Sequence, residues 1–136
     1  MMKKLLFICL GTLIIVSCSK DVKINKELQG TWNVTTWADS SVSTGLVKME
    51  FAKTTKKEGT GVITLTQSII SVTQEYTYSL SNQKFTINAP EKTIVILGVF
   101  PYTIPAFNAT CSVLEHSKTK FVVSDDSNGK DYVLVK

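Results

Sequence analysis

From Gly30 onward the chain alternates apolar and polar residues with a period of two, and turn-forming clusters interrupt the alternation roughly every 8–14 residues. In "LVKMEFAK", Val47, Met49 and Phe51 point one way and Lys48 and Glu50 the other. Ile63 and Leu65 alternate with Thr64 and Thr66. Ile70, Val72, Gln74, Tyr76, Tyr78 and Leu80 share a face, as do Phe85 and Ile87, and Phe107, Ala109, Cys111 and Val113. Side chains alternate faces along a strand but repeat every 3.6 residues along a helix, so these runs predict half-buried strands. The run "TIVILG" is continuously apolar, which predicts a strand covered on both faces. Turn signals stand between the runs: "EGTG", "LSNQ", "APEK" and "DSNGKD". Asn128-Gly129 predicts a type I′ hairpin, because both central residues of that turn need positive φ. The expectation is an all-β domain of eight or nine short strands, an antiparallel up-and-down meander closed into a small barrel. A two-sheet sandwich is the alternative, since strand spacing alone does not separate the two.

The N-terminus follows another logic. "MMKKLLFICLGTLIIVSCSKD" places Lys3 and Lys4 before an uncharged apolar run, Leu5 to Val16. A membrane-spanning helix needs about 20 apolar residues. This shorter run has the flanks of a signal peptide and is set aside from the fold. Ile15-Val16-Ser17-Cys18 resembles the bacterial lipobox. That resemblance implies a diacylglyceryl group on the Cys18 thiol, removal of residues 1–17, and membrane attachment through lipid on Cys18. Ser19 stands where an inner-membrane retention signal would carry Asp, so the implied location is the outer membrane. Residues 18–27 read as the lipidated cysteine and a polar tether whose last turn, "NKEL", is helical; residues 28–136 read as one domain.

Charge and chemistry exclude several classes. Without Lys3 and Lys4 the balance is 13 lysines against 11 acids, and the chain contains no arginine. Arginine is the preferred reader of phosphates and base edges, so no nucleic-acid partner is expected. Lys53, Lys56 and Lys57 read as a solvated turn. Once Cys9 leaves with the leader and Cys18 is acylated, Cys111 has no disulfide partner and reads as a small buried hydrophobe. His116 is the sole histidine, too little for a zinc ligand set. "DDSNGKD" lacks the acid at Ser124 and the Glu at Val135 that an EF-hand loop requires. The chain has no glycine-rich phosphate loop. The expectation is no catalytic residue, no metal and no cofactor.

Gly30-Thr31-Trp32 resembles the Gly-x-Trp signature on the first strand of lipocalins, and "EYTYSLSNQKFTI" and "DYVLVK" resemble small lipocalin-like domains of bacterial envelope lipoproteins. The resemblance covers Leu28 to Lys136. It implies that Trp32 plugs the closed end of the barrel and that Gly30 permits close packing there. In that family an arginine of the last strand packs over the tryptophan; here the cap is missing or replaced by a lysine stem. Trp37, an odd step further on, is re-aimed inward by a bulge or sits outside. The resemblance also implies a small hydrophobic ligand inside the barrel, with Met49, Phe51, Val72, Tyr76 and Tyr78 as its wall. A monomeric accessory module that contacts another envelope protein is the other reading. "LGVFPYTIPAF", Leu97 to Phe107, is uncharged, and its two prolines exclude a regular central strand. A crossover buried against the barrel is favoured for it over an exposed lip of Val99, Phe100 and Tyr102.

Overall fold

The computed structural model describes residues 20–136. The leader and Cys18 lie outside the described residues. Eleven strands follow a helix over residues 20–28. They are β1 (Gly30–Trp37), β2 (Ser40–Ser41), β3 (Val47–Lys53), β4 (Glu58–Gln67), β5 (Ile70–Ser81), β6 (Lys84–Ala89), β7 (Lys92–Ile96), β8 (Phe100–Ile104), β9 (Phe107–His116), β10 (Lys120–Asp125) and β11 (Asp131–Val135). Every pairing is antiparallel, and the order β11-β10-β9-β6-β5-β4-β3-β1 closes on itself because β11 also pairs with β1. The result is an eight-strand up-and-down barrel with β2 as a short appendix. Closure removes the exposed sheet edges and rules out the sandwich.

One end of the barrel is shut by the helix and carries the β3–β4, β5–β6 and β9–β10 turns. The other carries the β1–β3 loop, the β4–β5 turn, the β10–β11 loop and the β7–β8 hairpin inserted between β6 and β9. The core is the inward row of each strand: Trp32, Val34, Met49, Phe51, Ile63, Tyr76, Tyr78, Leu80, Phe85, Ile87, Cys111, Phe121, Val123 and Leu134 are all buried. Gly61 lies in β4 between Phe51 and Tyr76 of the neighbouring strands. A methyl group there would overlap the Glu50 carbonyl oxygen and the Tyr76 ring, so only glycine lets the tyrosine cross the wall. The Tyr76 hydroxyl donates to that same Glu50 carbonyl.

Several expectations change. The segment read as a tether is folded from Lys20, because Asp21, Ile24, Asn25 and Leu28 fall on one helix face and are buried against the barrel. The "TIVILG" strand is not covered on both faces: β7 pairs only with β8, outside the barrel, and Val95 is exposed. Asn128-Gly129 does not form a type I′ turn. Of the two, Gly129 alone has positive φ (70°), and a wider loop closes with Gly129 N–H donating to the Asp125 carbonyl (2.7 Å). The paired positive φ values occur instead at Asn82 (51°) and Gln83 (59°), at Ala38 (48°) and Asp39 (67°), and at Leu97 (55°) and Gly98 (72°) in the β7–β8 turn. Trp37 takes the bulged route. The β1–β11 register slips between Val34 and Thr36, which turns Trp37 inward against Phe107 (5.3 Å between rings) and Tyr132 (5.1 Å).

Candidate functional site

The closed end is built around Trp32. Its ring is fully buried, and its indole N–H donates to the Leu28 carbonyl at the last turn of the helix (2.7 Å). A lysine lies over this ring. Lys136 holds its Nζ 4.8 Å from the centre of the Trp32 ring and donates to the Gln29 carbonyl (2.6 Å). A cation this close to an aromatic face is attracted by the ring quadrupole. Gly30, at φ 109°, leaves the space that the Lys136 amine occupies.

The helix is fastened by polar side chains in positions that usually hold apolar ones. Asn25 donates to the Thr55 and Lys56 carbonyls (3.1 Å each) and accepts from the Tyr78 hydroxyl (2.6 Å). Asp21 accepts from the Asn82 and Gln83 N–H groups (2.9 and 2.8 Å), the two left-handed residues of the β5–β6 turn. Neither residue is glycine, so this turn carries a conformational cost that two charge-assisted hydrogen bonds offset. His116 Nδ1 meets Glu27 Oε2 at 2.7 Å and ties the helix to the end of β9. Among the described residues, no buried side-chain polar atom lacks a partner.

The inward side chains fill much of the interior. Met49, Phe51, Tyr76 and Tyr78 do point inward, but they pack on one another, with Phe51 5.7 Å from Tyr76 and 5.4 Å from Tyr78 between ring centres. A cavity of about 30 Å³ among them is lined by apolar surface that includes Met49, Phe51 and Phe85. A ligand site usually needs about 300 Å³ or more. Val72 does not join the group. It is half-buried where β4 and β5 run on past the end of β6, opposite the exposed Leu65. The proposed ligand wall is therefore a packed core plus one outlying residue. Burial raises the pKa of Tyr76 and Tyr78, keeping both hydroxyls as neutral donors. A larger space of about 820 Å³ lies along the outer wall over β3, β4 and β5, an open trough edged by Glu50, Thr60, Val62, Glu75 and Thr77.

The open end carries the exposed apolar surface. The segment expected to fold against the barrel stands out from it as part of the β7–β8 hairpin. Leu97 is 76 % exposed, Val99 72 % and Phe100 63 %, with Val95 and Tyr102 also exposed. Pro101 is accommodated because β8 is an edge strand whose only partner is β7. Ile104 alone of the hairpin is buried. The hairpin is held at its base, where the Gln74 amide donates to the Pro90 and Pro105 carbonyls (3.2 and 3.0 Å) and Lys92 donates to the Thr73 carbonyl (3.1 Å). Ile69, at the β4–β5 turn of the same end, is 94 % exposed. Sequence reading did not single it out. The signal was the pair Ile69-Ile70 directly after Ser68, apolar residues at a turn tip where polar ones are usual.

Nucleophiles and metal ligands do not gather. No group of three or more His, Cys, Asp or Glu side chains suited to a metal occurs among the described residues. Cys111 is buried, and burial, followed by the nearby Asp125 and Asp126 charges, pushes its thiol up to about 12. Lys84 and Ser112 hydrogen bonds hold the exposed Asp126 carboxyl below its ordinary value.

No family model matches the chain, and neither does any curated protein. Among solved structures, a redesigned β barrel matches with a TM-score of 0.51 and 17 % identity, over 83 % of this chain and 94 % of that one. At that identity the likeness speaks to the fold alone, and it agrees with the closure seen between β11 and β1. No helix among the described residues is long and apolar enough to cross a membrane.

Proposed function

We propose that this protein is a lipid-anchored, non-enzymatic module of the bacterial outer membrane, and that its barrel is a scaffold presenting the β7–β8 hairpin to another envelope protein. The observation that carries the reading is the contrast between a filled interior and an uncovered apolar hairpin. An apolar row of this kind is costly in water and usually marks a contact. The lipobox supports anchoring at Cys18, and the Gly30-Thr31-Trp32 signature with its lysine cap supports a lipocalin-like lineage in which the ligand cavity has been replaced by core. The unfavourable thiol of Cys111 and the engagement of His116 with Glu27 support a non-enzymatic role. A small ligand, if one is bound, has room in the outer trough and not among Met49, Phe51, Tyr76 and Tyr78.

Native mass spectrometry of the chain extracted from its own membrane tests both halves. The expected species lacks residues 1–17, carries acyl chains, and retains a protein partner that Phe100→Ser releases. Cys18→Ala should abolish the acyl mass and leave the leader in place. A small-molecule adduct that survives Phe100→Ser, with no protein bound in either form, would overturn the scaffold reading.

A further inference from the structure

The mature charge balance conceals a strong asymmetry between the two ends. The helix buries Asp21, Ile24, Asn25 and Leu28, which leaves Lys20, Lys23 and Lys26 exposed on the side facing away from the barrel. Lys53 and Lys56 beside the β3–β4 turn and Lys118 in the β9–β10 turn are exposed at the same end. Lys57, Lys120 and Lys136 are there too, each with a partner: Asp21, Glu115 and the Gln29 carbonyl. With Lys84, which follows the β5–β6 turn and pairs with Asp126, ten lysine side chains thus stand at the closed end against four acids, Asp21, Glu27, Glu58 and Glu115. Asp21 is buried, and Glu27 is taken up by His116. The rest of the barrel carries three lysines and seven acids.

We infer that the lysine-bearing closed end seats on the anionic surface of the bilayer that anchors the chain, so that the β4–β5 and β7–β8 hairpins project away from that bilayer. The inference rests on the anchoring at Cys18 proposed above. Chain continuity supplies the geometry. Cys18 is two residues from Lys20, and two residues span at most ~7 Å. The screening length at physiological ionic strength is about 8 Å, so the helix lysines lie within range of the headgroup charge. Lysines near an anionic leaflet add to the hold of an acyl anchor, and their spread over a helix and two turns resists tilting in a way that a single tethered point does not. The orientation also accounts for the apolar hairpins standing at the end away from the anchor, where a second protein has access to them.

The test uses the chain purified from its own membrane, placed in lipid nanodiscs of phosphatidylcholine alone or with phosphatidylglycerol mixed in. A water-soluble amine-acetylating reagent at low extent, read by mass spectrometry, reports each lysine. Lys23, Lys26, Lys53 and Lys56 should react severalfold more slowly in the anionic discs, with Lys92 and Lys130 unchanged, and high salt should remove the difference. Combining Lys23→Gln with Lys26→Gln should cut the protection of Lys53 and Lys56, since each charge is worth about a fivefold change in attraction to the surface. Equal reactivity in the two discs, or protection of Lys92 and Lys130 instead, would overturn the inference. If the chain leaves neutral discs but stays on anionic ones, the anchoring at Cys18 fails and the charged seat stands. If it leaves both, the two fail together.

Discussion

The two ends of this barrel use their side chains in opposite ways. At the closed end, two groups that normally face water are buried and fully bonded, an aspartate on a tight turn and an asparagine among carbonyls, and a lysine lies over an indole. At the open end, groups that normally seek burial are left bare on two hairpins. The first arrangement is expensive to build and rigid once built, because among the described residues every buried side-chain polar atom has a partner that would be orphaned by its loss. The second stabilises the fold little, so its retention asks for a reason outside the fold. Stability is concentrated where the chain enters, and the surface available for contact lies at the opposite pole.

The largest expected effect follows from that division. Trp32→Ala removes the fully buried ring, its hydrogen bond to Leu28 and the surface under Lys136, and should cost about 3–5 kcal/mol in denaturant unfolding. A loss below about 1 kcal/mol, the range of surface substitutions, would mean that the closed end is not the stable pole.

Asp21→Ala comes next. It leaves the Asn82 and Gln83 N–H groups without their acceptor in a turn that lacks glycine. Hydrogen bonds to charged groups are worth about 1.5–3 kcal/mol, so a loss of about 2–3 kcal/mol is expected. Adding Asn82→Gly or Gln83→Gly should recover part of it, since glycine adopts positive φ without strain. If neither glycine restores any stability, the carboxylate acts through something other than the turn.

The strand alternation and the placing of Trp32 on the first strand were legible in the sequence because a period of two and a short aromatic motif survive without tertiary context, whereas whether a lysine covers that ring was left open. The helix was not. Its inward positions, Asp21, Ile24, Asn25 and Leu28, have helical spacing, but two of the four are polar, so the hydrophobic period is invisible. The filled interior was not legible either. Inward-facing residues read the same whether they line a cavity or pack into one another, and the missing side chain at Gly61 is what lets the Tyr76 ring lie over β4. The type I′ turn was misplaced because Asn128-Gly129 has the favoured residues, whereas Asn82-Gln83 is held in that geometry by a carboxylate 62 residues from Gln83. The hairpin was read as buried because continuous apolar runs usually are; its exposure is a property of the surface and not of the period.

Between the poles lies Cys111, and its titration sharpens the comparison by asking how dry the interior is. Its thiol is raised from 9.0 to about 12 by burial, with the Asp125 and Asp126 charges adding to it. The folded state therefore holds the proton more tightly than the unfolded chain. The associated stability is fully present below pH 9 and is lost as pH rises towards 12. Across one pH unit above 9 the loss should be about 1 kcal/mol. Unfolding midpoints measured from pH 8 to pH 10 should fall in the native chain and fall less in Cys111→Ala, where the group is absent. Parallel curves for the two proteins would place the thiol in contact with water and make the interior wetter than the packing indicates.

The smallest effect on stability belongs to the open end, and it is the most informative for function. Phe100 is 63 % exposed on a strand whose only neighbour is β7, so Phe100→Ser removes little packing and buries no hydroxyl. The unfolding midpoint should shift by no more than about 0.5 kcal/mol, the range for surface changes. The hairpin's attachment should persist as well, because it depends on Gln74 and Lys92 at the base and not on the tip. The partner should nevertheless be lost, since aromatic side chains are the residues on which contact energy concentrates. Set beside Trp32→Ala, the two aromatic truncations then separate fully: one unfolds the scaffold, and the other disarms it while leaving it folded. If Phe100→Ser instead costs several kcal/mol, the hairpin is seated on the barrel in solution, the contrast between the ends disappears, and the contact surface must be sought elsewhere on the molecule.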